Sequence, residues 1–218
     1  MDLYLENIIK MYPNAGCELI YHNPFEFLVA VVLSAQTTDK AVNKITPILF
    51  EKYPEPESMS KASYDDLFNI LKPLGLAKNK TKNLISLSQD ISNLGYIPEN
   101  IKELIKLSGV GIKTANVYMS EIYKEPHIAV DTHVFRVSKR LGLITDKDDV
   151  LSCEKKLEKR YLKEEWIKVH HSFLFLGRYK CKSQRPDCQT CLLKDKCKYF
   201  ESLKNNNFNL KHGSINSK

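Results

Sequence analysis

Four cysteines, Cys181, Cys188, Cys191 and Cys197, fall within 17 residues of a 218-residue chain, in the spacing C-x6-C-x2-C-x5-C. The stretch that holds them has too little apolar material to fold without a cross-link, so a bound metal centre is expected there. Disulfides are the weaker alternative, because the sequence does not mark the chain for an oxidising compartment. The N-terminus MDLYLENIIK carries acidic residues where a secretory signal would be basic, and no apolar run reaches the roughly 18 residues of a membrane span. The cytoplasm, with the nucleoid, is the expected location, and no membrane partner is expected. Zinc and a [4Fe–4S] cluster both take four thiolates. Structural zinc more often uses two close pairs split by a longer finger, so unequal spacing around a single C-x-x-C favours the cluster. Cys17 and Cys153 stand apart and read as buried small apolar residues.

Outside that stretch nearly every periodic segment reads as helix. Asn23 can cap a helix with Pro24 in its first position and Glu26 three residues beyond the cap, followed by Phe25, Leu28, Val29 and Val32 at helical spacing. Further helices are expected near 40–50, 64–71 and 80–94, with Pro73 and Gly95 as stops, then from Pro98 to Leu107 and from about Ile112 to Tyr123. Val134, Val137 and Leu141 mark a helix closed by Gly142. A last long helix around Trp166, Val169, Phe173 and Leu176 is closed by Gly177. The Asn/Lys-rich tail from about Ser202 has few large apolar residues and is expected to be disordered. The class is all-α.

The 33 Lys+Arg against 26 Asp+Glu leave a net charge of +7, which favours a polyanionic partner. Two segments suit such a partner. In LSGVGIK, Leu107 to Lys113, two glycines let the chain reverse between helices in conformations that a Cβ would penalise. The turn is expected to aim the amides of Gly109, Val110 and Gly111 outward at a helix start, where the dipole favours an anion such as a DNA phosphate. Around the cysteines, Arg178, Lys180, Lys182 and Arg185 would present charge to phosphates.

Lys113 is in the first turn of the helix that follows the hairpin. A cation there is opposed by the helix dipole, which favours the free, nucleophilic amine. Asp131, in IAVDTHVFRV, reads in isolation as the cap of a helix beginning at Thr132. A chemical role is compatible with capping. The helix from Ile112 to Tyr123 rises about 18 Å, and residues 124–130 can return that distance at about 3.3 Å per residue. Lys113 and Asp131 are therefore able to face one cleft.

Taken together, NPFEFLVAVVLSAQTTD (23–39), GLAKNKTKNL (75–84), LSGVGIKTANV (107–117), AVDTHVFRV (129–137), HHSFLFLGRYKC (170–181) and the four-cysteine spacing resemble the endonuclease III family of helix-hairpin-helix DNA glycosylases. The resemblance covers about residues 20 to 200, in the family's order. It implies a two-domain all-α fold: a six-helix barrel over 17–125, and a cluster domain made of 1–16 and 126–200 that carries [4Fe–4S], with 201–218 as the disordered tail. It matches Lys113 to a Schiff-base lysine and Asp131 to an essential aspartate. Gln36 matches a residue that fills the space left by a flipped nucleotide, and Leu76 a wedge inserted into the opposite strand. Ser108 departs from the family's usual proline, which is expected to loosen the hairpin slightly.

The activity implied is that of a monomeric, bifunctional DNA N-glycosylase and abasic-site lyase of base excision repair. It would act on double-stranded DNA containing damaged bases or abasic sites, removing oxidised pyrimidines and cutting by β-elimination through a lysine Schiff base. Three alternatives remain open: a mismatch-specific adenine or thymine glycosylase of the same fold, a non-catalytic iron–sulfur DNA-binding regulator, and a structural zinc-module protein.

Overall fold

The computed structural model describes residues 2–212, with side chains through residue 205. Among them there is no strand. Twelve α-helices follow one another: α1 (Leu3–Met11), α2 (Pro24–Leu33), α3 (Asp39–Lys52), α4 (Pro56–Ser60), α5 (Tyr64–Leu71), α6 (Ala77–Leu94), α7 (Ile101–Leu104), α8 (Ile112–Ile122), α9 (Thr132–Leu141), α10 (Val150–Arg160), α11 (Trp166–Phe175) and α12 (Lys198–His212). Short polar side chains start many of them. Asn23 Oδ1 accepts the Glu26 amide at 2.9 Å, Asn100 Oδ1 that of Glu103 at 3.0 Å, and Asp149 Oδ1 that of Ser152 at 2.8 Å. Gly95 and Gly142, at φ 76° and 77°, close α6 and α9 in the left-handed conformation that a terminal helix turn needs.

The chain divides into two compact units, Cys17–Glu125 and Met1–Gly16 with Pro126–Lys218. In the first, α2 is buried without a break from Phe25 to Leu33. A helix apolar on every side has to be enclosed by others, and α3, α6 and α8 pack against it. Phe27 is wholly buried beside Tyr118, their ring centroids 6.1 Å apart. Its truncation to alanine would cost about 3–5 kcal/mol. In the second unit, Leu5 and Ile8 of α1 share a core with Val134, Val137, Cys153, Leu157, Val169, Phe173 and Leu193. Cys153 is fully buried there, whereas Cys17 is only half-buried against the other core.

Three expectations need correction. The helix expected over Pro98–Leu107 is the single turn α7, because Asn100 caps it late and the amides of Lys106 and Leu107 turn back three residues instead of four. Gly177 does not close α11: the chain runs on through a π-turn, Leu176–Lys180, in which Cys181 N–H reaches Leu176 O at 2.7 Å. A Cβ on Gly177 would lie 2.7 Å from His133 Cβ, so glycine serves close packing here. The segment expected to be disordered from 201 is helical as far as His212. Its start is anchored by the buried Phe200 and by Tyr199, which lies beneath the Arg140 guanidinium at 4.2 Å. Anchoring supplies the nucleus, and no proline or glycine follows before Gly213 to stop propagation. The remainder, 213–218, lies outside the described residues.

Candidate active site and nucleic-acid interface

The hairpin between α7 and α8 is built by one strained turn rather than two. Gly109 stands at φ 79°, and a Cβ added there would come within 3.0 Å of Asn83 Cβ on α6. Gly111, in contrast, is extended, and a Cβ there would meet open space. Its freedom from a side chain leaves room for close approach to the turn from outside. The expected set of three outward amides also changes. Val110 is buried, and its N–H bonds Leu107 O at 3.1 Å. The amides of Gly109, Gly111, Ile112 and Lys113 have no acceptor among the described residues. Those orphan donors, at the positive end of α8, are what an anion would meet. Ser108 brings an N–H that proline lacks, and Asp90 Oδ2 on α6 accepts it at 2.9 Å. The hairpin is thus fastened where loosening was expected.

Lys113 occupies the second position of α8, exposed, with no partner among the described residues. Asp131, in the other unit, caps α9 with a single oxygen: Oδ1 accepts from His133 N–H at 2.9 Å and from Val134 N–H at 2.8 Å. Oδ2 takes no donor among the described residues, so capping leaves half of the carboxylate available for chemistry.

Gln36 and Leu76 share an uncommon backbone. Among the described residues only four other than glycine have positive φ, and these are two of them, at 53° and 60°. The left-handed region disfavours a residue with a Cβ by about 1–2 kcal/mol, and such outliers gather where a side chain must be aimed. Both side chains are exposed, Leu76 at the head of α6 and Gln36 in the turn between α2 and α3.

The four cysteines line one cavity together with Val137, Leu141, Leu176, Leu193 and Phe200. Among the described residues no three His, Cys, Asp or Glu side chains are gathered as for a single metal ion. Burial, followed by the proximity of the other three sulfurs, pushes the Cys188 thiol up. A cationic centre would relieve that repulsion, so the donor set fits a group that bridges four thiolates.

Two arginines that sequence reading missed hold this loop. Arg140 donates to Lys182 O at 2.7 Å, Ser183 O at 3.1 Å and Cys181 Sγ at 3.3 Å. Arg136 reaches Gly177 O at 2.8 Å and Cys181 O at 3.0 Å. Their spacing of four along α9 was the available signal, since it puts both on one face. The basic residues divide in the same way. Lys180 is engaged inside the loop, with Asp187 Oδ2 at 2.8 Å and Thr190 Oγ1 at 2.6 Å, and so is not a free phosphate contact. Lys182 and Arg185 are exposed, and Arg178 is half-buried.

Comparison with known proteins gives a consistent picture. A family model described as HhH-GPD superfamily base excision DNA repair protein matches residues 29–163. The chain is 48% identical over 200 residues to an endonuclease III of Bacillus subtilis, covering 91% of each chain. It is 37% identical over 193 residues to that of Escherichia coli, covering 88% of this chain and 91% of the relative. Among solved structures, a trapped endonuclease III–DNA covalent intermediate with an estranged adenine superposes with a TM-score of 0.88 at 46% identity, covering 92% of this chain and 95% of that one. A thermostable thymine-DNA glycosylase, 21% identical at a TM-score of 0.79 and covering 92% and 96%, shares the fold.

Proposed function

The chain belongs to the endonuclease III family within the HhH-GPD superfamily of base excision DNA repair proteins, and on that premise we propose that it removes oxidised pyrimidines from duplex DNA with Lys113 as its nucleophile. It is a bifunctional DNA glycosylase and abasic-site lyase. The observation that carries the assignment of Lys113 is an exposed amine with no partner among the described residues, set at the second position of α8, where the orphan amides of the hairpin suit a phosphate.

Backbone amides and basic side chains hold the strand, and part of the binding energy goes into extruding the damaged nucleotide. The Lys113 amine, once deprotonated, attacks the anomeric carbon as the glycosidic bond breaks and the base leaves with its electron pair. The Asp131 carboxylate stabilises positive charge on the sugar or accepts the proton that Lys113 must lose. The aminal so formed opens as the C1′–O4′ bond breaks and O4′ takes a proton, leaving an iminium at C1′; this acidifies C2′, and loss of the C2′ proton expels the 3′ phosphate.

Borohydride should trap the wild-type protein covalently on abasic DNA. Lys113→Gln should still bind that DNA but yield no adduct, since only a primary amine forms the imine. Undiminished trapping by the variant would move the nucleophile elsewhere. A non-catalytic regulator would trap with neither protein.

Cys181, Cys188, Cys191 and Cys197 are the residues that would hold a [4Fe–4S] cluster, which would supply the cross-link that this loop's own side chains do not. Purified protein should carry about four irons per chain. Stoichiometric zinc without iron would reverse that reading. Exposed Lys182 and Arg185 would meet the DNA backbone.

A further inference from the structure

Lys80 is a lysine where a lysine is costly. It is 4% exposed, in the opening turn of α6, and burial disfavours its ammonium form. No carboxylate offsets this: among the described residues the only acceptor for its Nζ is Thr37 Oγ1. A buried cation held by one hydroxyl contributes little to stability, since methionine would fill the same space without the desolvation penalty. Its position explains more than its energy does. Its own N–H bonds Leu76 O at 3.0 Å, closing the left-handed Leu76 turn onto α6. Thr37, its other partner, follows Gln36, and Thr37 N–H and Oγ1 bond Ser34 O at 3.0 Å and Ala35 O at 3.4 Å. One residue therefore touches both strained turns, its backbone N–H bonding the turn of Leu76 and its side chain the turn of Gln36.

We propose that Lys80 is a positioning residue for base extrusion, holding the Gln36 turn to the Leu76 turn so that both side chains enter the duplex as one rigid wedge. The proposal rests on the reading of Gln36 and Leu76 as wedge residues. Two exposed side chains on independently mobile turns would each lose conformational freedom on entering DNA, and a link made within the folded protein removes part of that cost beforehand.

Lys80→Met, Thr37→Val and the double variant should be compared with wild type on two duplexes, one with thymine glycol opposite adenine and one with a preformed abasic site. Single-turnover excision of the paired lesion should slow about tenfold to a hundredfold. Cleavage at the abasic site, which needs less unstacking, should stay within about twofold. The double variant should be no slower than the worse single one, because both remove the same link. Amide hydrogen exchange over 35–38 should rise in each, while the melting temperature of Lys80→Met holds or increases. Equal losses on both duplexes, additive effects or unchanged exchange would overturn the proposal. Gln36→Ala and Leu76→Ala, run in parallel, separate its failure from that of the wedge reading. If they slow the paired lesion and Lys80→Met does not, the wedge stands and the link is wrong. If they do not, the wedge reading fails and takes the link with it.

Discussion

The two carboxylate oxygens of Asp131 differ in their surroundings, and that difference makes its proposed chemical role testable. Oδ1 starts α9, while Oδ2 has no donor among the described residues. Asparagine caps helices about as well as aspartate, so Asp131→Asn should leave thermal stability within a few tenths of a kcal/mol of wild type. Base release should nevertheless fall by about a hundredfold or more, because the charge and the proton acceptor are gone. Parallel melting curves and single-turnover excision assays check both halves, and a large loss of stability would mean that the cap is the main role. Legibility differed among these residues. By position alone Lys113 and Asp131 read as a helix-start lysine and a helix cap, and it was the resemblance to the endonuclease III family that implied a chemical role for them. Lys80 did not stand out, because a lysine in the polar run AKNKTKN reads as solvated until the fold buries it.

At the scale of elements, α6 acts as a common support. Leu76 heads it, Lys80 reaches the Gln36 turn, Asn83 abuts Gly109, and Asp90 accepts the Ser108 amide. Its sequence showed a helix but not these attachments, which depend on side chains far apart in the chain. Helices with strong apolar periodicity or caps, α2 and α9 among them, were readable in advance. α10 was not, because only Cys153 and Leu157 of its length are buried and its charges suggest a solvated segment. The turn before α10 also makes a pH-dependent contribution. Hydrogen bonds from Lys156 and from Thr145 hold Asp148 down at about 2, against an ordinary 3.8. A carboxylate with a depressed folded value stabilises fully above the ordinary value and loses that contribution as pH falls toward the lowered one. Asp148→Asn should therefore melt below wild type at pH 7, with the gap narrowing between pH 4 and 2. A pH-independent gap would locate the effect in packing instead.

For the molecule as a whole, a net charge of +7 implies binding that weakens steeply with salt. The loop geometry sorts which lysines and arginines take part. Lys182→Ala and Arg185→Ala should each reduce the slope of log affinity against log salt by about one and leave the fold intact. Lys180→Ala should alter loop stability through Asp187 and Thr190. With the proposed cluster in place, Cys188→Ala should release iron and lower DNA affinity before it affects cleavage of saturated substrate. Normal DNA binding by an iron-free variant would remove the loop from the DNA surface.

The order in which the chain is made bears on how it folds. Residues 17–125 contain their own core, so that unit can close as soon as its last helix has left the ribosome. The other unit joins segments far apart in the chain: Leu5 and Ile8 share a core with Leu193, and Cys197 lines one cavity with the other three cysteines. The core that α1 shares cannot close before Leu193 has been made, and the cluster proposed for the four cysteines could not form before Cys197. Newly made chains, pulse-labelled and exposed to protease, should protect 17–125 first. Residues 2–16 and 126–200, which share the other core, should become resistant later.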